Sequence, residues 1–174
     1  MEKIIRSEIV FACPVFKAEH AQVELPDGTV EDRWYAVKND AVGIVALNSD
    51  GKILLTREYR SASQELHWRI PAGGLKDGEL PEEGARRELR EETGYDAEEF
   101  ELLIERKFPS GWVKQTSHFF LAKNLYNSPL ESNEFEDIEI VPSSLTEVKD
   151  RLNSGEMKGN IAEALRIALG RLEG

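Results

Sequence analysis

The sequence predicts a mixed fold of helices and strands, α/β in the broad sense and α+β in its arrangement. An N-terminal antiparallel β region comes first, and a domain of strands and helices follows it. The first 60 residues are rich in strand-forming stretches, separated by Asp-Gly turn signals. From residue 81 onward, three segments combine helix-start signals with apolar residues at helical spacing. A length of 174 residues suits one globular unit with a full hydrophobic core.

Two β-hairpins are predicted before residue 60. In the first, "FKAEHAQVEL" and "TVEDRWYAVK" flank the turn Pro26-Asp27-Gly28, and in the second, "AVGIVALN" and "KILLTREYR" flank Ser49-Asp50-Gly51. Two more strands, "FELLIERKF" and "SHFFLAKNL", are separated by the turn-rich "PSGW". A polar, acidic loop after Leu125 then leads to a short strand, "IEIVP".

Three helices complete the predicted elements. The first follows the glycine-rich segment 71–78, starts near Pro81 and stops at Gly94. The second starts at Ser144, which forms a capping box with Glu147 three residues on. The third starts at Asn160, and we interpret its apolar stripe as core packing: Ile161, Ala164, Leu165, Ala168, Leu169 and Leu172.

Charge and composition exclude several classes of function. The chain has 33 acidic and 22 basic residues, a formal charge of -11, so an extended nucleic acid would be repelled. A small anionic substrate stays possible, because a divalent cation can bridge phosphates to carboxylates. No stretch reaches the roughly 18 apolar residues of a membrane span, and Cys13 is the only cysteine. We expect a cytoplasmic protein without membrane or nucleic-acid partners.

The first predicted helix carries an unusual cluster of acidic residues. Glu88, Glu91 and Glu92 stand at i, i+3 and i+4 on one face, and Gly84, one turn earlier, leaves open space beside them. Like charges near the C-terminal end of a helix are unfavourable, by about 0.3 to 1 kcal/mol against the helix dipole alone. A solvated face balanced by neighbouring arginines would explain the cluster. A hard divalent cation would also remove the repulsion.

The segment from Gly73 to Tyr95 resembles the Nudix box. The matching residues are Gly73, Glu79, Arg87-Glu88, Leu89, Glu91-Glu92, Gly94 and Tyr95. The resemblance implies an α/β/α sandwich around a mixed β-sheet. It also implies a Nudix domain over residues 41–174 and an N-terminal region, residues 1–40, used for dimerisation and for binding the nucleobase.

The same resemblance assigns roles within the box. It implies that Mg²⁺, or Mn²⁺, is held by the carboxylates of Glu88, Glu91 and Glu92 and by the backbone carbonyl of Ala72. Arg87 and Glu79 are then an internal pair that fixes the helix and the loop, with Gly73 and Gly94 as structural glycines. For the general base, the family pattern points to the acidic loop and to Glu134 or Glu136. The box glutamates, Glu91 among them, are the alternative.

Features outside the box resemble the ADP-ribose and nucleotide-sugar pyrophosphatases. Pro109 stands fifteen residues after Gly94, and "REYR", "PAG" and "HFFLA" occur at the expected places. Two positions depart from that pattern, because Arg69 and Gln115 stand where glutamates are common. These departures make a sugar other than ADP-linked ribose more plausible.

Further substrate contacts are predicted for Trp34, Arg57, Arg60, Pro109 and Gln115. Trp34 could stack on the nucleobase or pack in its strand. Arg57 and Arg60 could clamp phosphates with bidentate hydrogen bonds, or form surface ion pairs. The family resemblance also implies a homodimer.

These observations predict a magnesium-dependent hydrolase that splits ADP-ribose, or a related nucleoside diphosphate sugar, into a nucleoside monophosphate and a sugar phosphate. A hydrolase that removes unwanted nucleoside triphosphates is the nearest alternative. A catalytically silent nucleotide sensor is less favoured, because Glu88, Glu91 and Glu92 are all present.

Overall fold

The computed structural model describes residues 1–108, 110–130 and 138–174. These ranges form two compact units, Met1–Asp40 with Lys107–Thr116, and Ala41–Arg106 with Ser117–Gly174. The strands are β1 (Lys3–Ala12), β2 (Lys17–Glu24), β3 (Val30–Val37), β4 (Ala41–Ala46), β5 (Ile53–Arg60), β6 (Glu65–Arg69), β7 (Ala72–Gly74), β8 (Tyr95–Lys107), β9 (Val113–Lys114), β10 (Thr116–Asn127) and β11 (Ile138–Ser143). The helices are α1 (Pro81–Thr93), α2 (Leu145–Ser154) and α3 (Gly159–Glu173).

The first unit is a four-stranded sheet in the order β1-β2-β3-β9. The predicted first hairpin is confirmed, because β2 and β3 pair antiparallel from Lys17↔Val37 to Glu24↔Val30. β9 extends the sheet by pairing in parallel with the end of β3. β1 forms the other edge, and all ten of its residues are exposed, including Ile9 and Phe11.

The second unit contains a mixed sheet, β7-β4-β10-β8, and a three-stranded sheet, β11-β5-β6. β4 runs parallel to β10 and antiparallel to β7, so both of its edges are occupied. β5 is likewise paired on both edges, with β11 and β6. The predicted second hairpin is therefore wrong. β4 and β5 belong to different sheets, and a single bridge between Leu47 and Ile53 connects their ends.

Two apolar clusters place the helices of the second unit. Because side chains alternate along a strand, β4 sends Ile44 into one cluster and Val45 into the other. The first cluster contains Ala85 and Leu89 of α1, and the second contains the apolar residues of α2 and α3. The mixed α/β architecture that the sequence predicts is confirmed.

The three predicted helices are confirmed, although α3 begins at Gly159, one residue before the predicted start at Asn160. α1 begins at Pro81 and is closed by Gly94, whose φ of 77° is left-handed. Ser144 caps α2 and forms the capping box with Glu147. None of the helices in the described ranges is long and apolar enough to cross a membrane.

Candidate active site

The carboxylates of α1 lie next to the apolar side of the helix, and Glu88 is itself buried. Ala85 and Leu89 are fully buried in the cluster shared with β4. Burying a leucine side chain contributes about 1.5 to 3 kcal/mol, enough to fix the orientation of a short helix. Glu88, Glu91 and Glu92 therefore lie toward the loop that precedes the helix, where β7 carries Ala72 and Gly73.

Arg87 connects the loop to the helix. Its Nε and Nη2 donate to the two carboxylate oxygens of Glu79, at 2.7 and 2.8 Å, and Nη2 also donates to the carbonyl oxygen of Gly74. Its Nη1 donates to Glu88 and Glu91, at 2.7 and 2.9 Å. One guanidinium thus contacts three carboxylates and one backbone carbonyl.

The ion pair changes the titration of both partners. The hydrogen bonds from Arg87 lower the pKa of Glu79 to about 2. The hydrogen bonds that Arg87 donates to Glu79, and then those to Glu88 and Glu91, raise the pKa of Arg87 in turn. Both side chains are nearly buried, so their pKa values differ between the folded and the unfolded chain. The stability of the fold therefore depends on the charge of this pair.

Glu88 packs on a backbone surface that only glycine leaves open. It is 6% exposed, and a Cβ added at Gly73 would overlap its carboxylate. The close approach of loop and helix therefore depends on the missing side chain at Gly73. Beside Gly84 the prediction of open space was wrong. Leu75 fills that position and would overlap a Cβ there.

Glu92 contacts the backbone at the start of the loop. Its carboxylate oxygens lie 3.3 and 3.4 Å from the backbone nitrogen of Ala72, which donates to them. Burial, followed by the negative charge of Glu58, raises the pKa of Glu92 to about 9. Both effects favour the neutral form of the Glu92 carboxyl.

The donor set fits a hard divalent cation. Three carboxylates and the Ala72 carbonyl supply only oxygen atoms, which Mg²⁺ and Mn²⁺ prefer. Burial is the main cause of the raised pKa of Glu92, so an ionised carboxylate is unfavourable there unless a cation is close to it. Among the described residues, no group of three acidic, histidine or cysteine side chains is already arranged around one point. Glu88 and Glu91 are instead turned toward Arg87.

A buried carboxylate that the sequence analysis missed lies in β5. Glu58 is 4% exposed, and it accepts a hydrogen bond from Thr56 Oγ1 at 2.8 Å. Arg60 and Arg69 contact its other oxygen. The alternation of Thr56, Glu58 and Arg60 in "TREYR" could have indicated that these side chains share one face of a strand.

The two arginines predicted to bind phosphate point to opposite sides of β5. Arg60 contacts Glu58, whereas Arg57 lies over the ring of Trp68, 5.5 Å from its centroid, and is 4.0 Å from Glu139. Both assignments stay predictions.

The other predicted site residues belong to the first unit or lie outside the described residues. In the first unit, Trp34 is 60% exposed and stacks on His20 with ring centroids 4.6 Å apart. Gln115 donates from Nε2 to the carbonyl oxygen of Asn39, at 2.9 Å. Pro109 and both loop glutamates, Glu134 and Glu136, lie outside the described residues.

The C-terminal turn of α1 also holds the chain that follows β10. Arg90 donates from Nε to the carbonyl oxygen of Ser128, at 2.8 Å, and the Gly94 carbonyl accepts from the Ser128 backbone N–H, at 2.9 Å. These bonds fix the position of residues 128–130 relative to the acidic helix.

The helix thus brings acidic side chains against the glycine-containing backbone of the loop that precedes it. Residues 37–158 match the NUDIX domain model, and the chain belongs to the Nudix family. It is a hydrolase of phosphoanhydride bonds and resembles ADP-ribose pyrophosphatases.

Comparison with known proteins places the chain beside characterised relatives. It is 36% identical to the methanol dehydrogenase activator of Bacillus methanolicus over 141 residues, which are 79% of this chain and 76% of that protein. It is 32% identical to the ADP-ribose pyrophosphatase of Bacillus subtilis (strain 168) over 158 residues, 90% of this chain and 85% of that protein. A crystal structure of an ADP compounds hydrolase superposes with a TM-score of 0.87 at 26% identity, covering 99% of this chain and 95% of the other.

Proposed function

We propose that the protein hydrolyses the diphosphate bond of ADP-ribose, or of a related nucleoside diphosphate sugar, in a reaction that requires Mg²⁺ or Mn²⁺. The products are a nucleoside monophosphate and a sugar phosphate. The observation that carries the proposal is the set of α1 carboxylates held against Ala72 and Gly73. The similarity to the ADP-ribose pyrophosphatase of Bacillus subtilis supports the choice of substrate class.

The cation would be held by Glu88, Glu91, Glu92 and the Ala72 carbonyl. When bound, it would stabilise the charge on the phosphate oxygens and lower the pKa of the attacking water. As a ligand Glu92 would have to be ionised, because carboxylates bind metal ions in their deprotonated form. As ligands, Glu88 and Glu91 would have to share their oxygens between the cation and Arg87, which also contacts Glu79.

The chain must also supply a base that accepts the proton of the attacking water. We propose Glu134 or Glu136 for this role, with Glu91 as the alternative. The Glu134→Gln and Glu136→Gln variants distinguish them, since loss of the base lowers kcat more than it weakens substrate binding. If neither loop variant lowers kcat, Glu91 is the remaining candidate.

Substrate binding outside the metal site is proposed for Trp34, Arg57, Arg60, Pro109 and Gln115. Trp34 is suited to stacking on a base because its ring is largely exposed. Trp34→Ala should raise KM for a nucleotide sugar. The Kd for inorganic pyrophosphate, which has no nucleobase to stack on Trp34, should not change.

We further propose that the protein acts in the cytoplasm as a homodimer. Support for the dimer comes from β1, an edge strand with five exposed large apolar residues: Ile4, Ile5, Ile9, Val10 and Phe11. Such an edge favours pairing with another chain. Sedimentation equilibrium measures the molar mass, which should be twice the 19.7 kDa of the chain.

A panel of substrates tests the function. The purified protein is incubated with Mg²⁺ and ADP-ribose, GDP-mannose, UDP-glucose, NADH, diadenosine polyphosphates or nucleoside triphosphates, and the products are separated by chromatography. Release of AMP and ribose 5-phosphate from ADP-ribose is expected. Preference for a nucleoside triphosphate would favour the alternative hydrolase, and Mg²⁺ binding without turnover would favour a sensor.

A further inference from the structure

Glu58 is a buried charged residue outside the family's box. Ionised carboxylates are stable in a protein interior only when ion pairs and hydrogen bonds compensate the loss of water. Thr56 Oγ1 donates to its Oε1, at 2.8 Å. Its Oε2 accepts from Arg60 Nη2 and lies 3.5 Å from Arg69 Nε, so two guanidinium groups share one carboxylate oxygen.

The strand register puts all four side chains on one face. Thr56, Glu58 and Arg60 alternate along β5, and Thr56 is the ladder partner of Arg69 on β6. Glu58 and Arg69 are therefore diagonal neighbours across two strands. Their contact is an ion pair and not a hydrogen bond, since 3.5 Å is too long for a well-formed bond.

This group of residues adjoins the carboxylates of α1. Arg69 precedes Ala72 by three residues, and the Ala72 backbone nitrogen donates to Glu92. A diphosphate held at the α1 carboxylates would therefore lie near Arg69, and Glu58 links Arg69 to Arg60.

Guanidinium groups suit this position chemically. Arginine forms bidentate hydrogen bonds with phosphate oxygens, but a free arginine loses about 2 kcal/mol of rotamer entropy when it is fixed. An arginine that a buried carboxylate already holds has lost much of that freedom in the unliganded protein, so binding costs less.

We propose that Glu58 is a positioning residue that holds Arg60 and Arg69 to receive the diphosphate group of the substrate. The inference rests on the proposed function for the identity of the substrate. According to this inference, the positive charge of Arg69 serves substrate binding. Related enzymes commonly have a glutamate at this position. Glu58 acts through the two arginines and does not contact the metal.

The test compares Glu58→Gln with the wild-type protein by calorimetric titration of inorganic pyrophosphate in the presence of Mg²⁺. Glutamine has nearly the same shape and keeps an acceptor for Thr56, but it has no charge to hold the arginines. The Kd for pyrophosphate should rise about tenfold, and KM for the preferred substrate should rise by a similar factor with kcat changed less than about threefold. Glu163→Gln is the matched control, because Glu163 is also paired with an arginine but is exposed on α3.

A second comparison shows whether Glu58 acts through the arginines. In the Arg60→Gln/Arg69→Gln background, adding Glu58→Gln should raise the Kd no further, since the groups that Glu58 holds are gone. An equal rise in both backgrounds would overturn the inference. So would an unchanged Kd in a folded Glu58→Gln protein, or a wild-type protein that does not bind pyrophosphate.

The proposed hydrolysis and the proposed role of Glu58 can be refuted independently of each other. A wild-type protein that binds pyrophosphate in a Glu58-dependent way, but cleaves none of the panel, would refute hydrolysis and leave the positioning role intact. Cleavage of ADP-ribose with the same KM in wild type and Glu58→Gln would support hydrolysis and refute the positioning role of Glu58.

Discussion

Arg87 donates two hydrogen bonds to the carboxylate of Glu79, from Nε and Nη2, at 2.7 and 2.8 Å. The two residues are eight positions apart, and their bond joins the loop after β7 to the second turn of α1. Because Nη1 of the same guanidinium also contacts Glu88 and Glu91, the ion pair sets where two of the site carboxylates lie.

Removal of one partner of this pair should destabilise the fold. Glu79→Gln leaves the nearly buried Arg87 without its strongest partner, so the free energy of unfolding should fall by about 3 kcal/mol. Urea denaturation followed by circular dichroism measures it. Glu101→Gln removes a half-exposed partner of Arg171 and should cost less than about 1 kcal/mol. Equal losses in the two variants would show that the Glu79–Arg87 pair has no special role.

Acid should remove the contribution of Glu79. Its pKa is lowered from 4.5 to about 2 by Arg87, so the stabilisation is fully present above pH 4.5 and is lost as the pH falls through about 2. The difference in unfolding free energy between wild type and Glu79→Gln should therefore shrink between pH 5 and pH 2. A difference that stays constant over this range would contradict the lowered pKa.

In metal-free protein, the contribution of Glu92 to stability should have the opposite pH dependence. Burial and the charge of Glu58 raise its pKa from 4.5 to about 9, so its contribution is fully present below pH 4.5 and is lost as the pH rises through about 9. With EDTA present, the wild-type protein should lose stability from pH 5 to pH 9 relative to Glu92→Gln, which mimics the protonated side chain. Parallel stability curves for the two proteins would contradict this account.

Gly73→Ala should damage the site without unfolding the domain. The added Cβ would overlap the Glu88 carboxylate, which must move from its place, and turnover should fall about 10- to 100-fold. Gly74→Ala is the control, since a Cβ at Gly74 meets no atom within 4 Å and turnover should stay close to that of the wild type. Steady-state kinetics at saturating Mg²⁺ and thermal melting of both variants separate loss of function from loss of fold.

Much of the fold follows from local signals in the sequence. Pro81 and Gly94 mark the ends of α1, and Ser144 with Glu147 marks the start of α2, because caps depend on backbone groups only a few residues away. The second hairpin was predicted wrongly for the converse reason. A turn signal at Asp50-Gly51 reverses the chain, but the partners of β4 and β5 come from distant segments that satisfy both edges of each strand.

The candidate site, too, could be predicted only as far as local spacing reaches. The helical spacing of Glu88, Glu91 and Glu92 places them on one face, and the structure brings that face to Ala72 and Gly73. The spacing gives no information about Glu58, which reaches this region through the pairing of β5 with β6. Nor could it show that Leu75 fills the space beside Gly84, since that contact depends on how the loop folds back on the helix.

The most direct test of the proposed function is the turnover of ADP-ribose by wild type and by Glu92→Gln at saturating Mg²⁺, with AMP and ribose 5-phosphate measured by chromatography. Glu92→Gln removes one carboxylate ligand with little change in shape, and metal ions supply several kcal/mol of transition-state stabilisation. A folded variant with turnover reduced about 100-fold or more is expected, because each 1.36 kcal/mol is tenfold in rate. Near-normal turnover of the variant would contradict the assignment of the metal site to the carboxylates of α1.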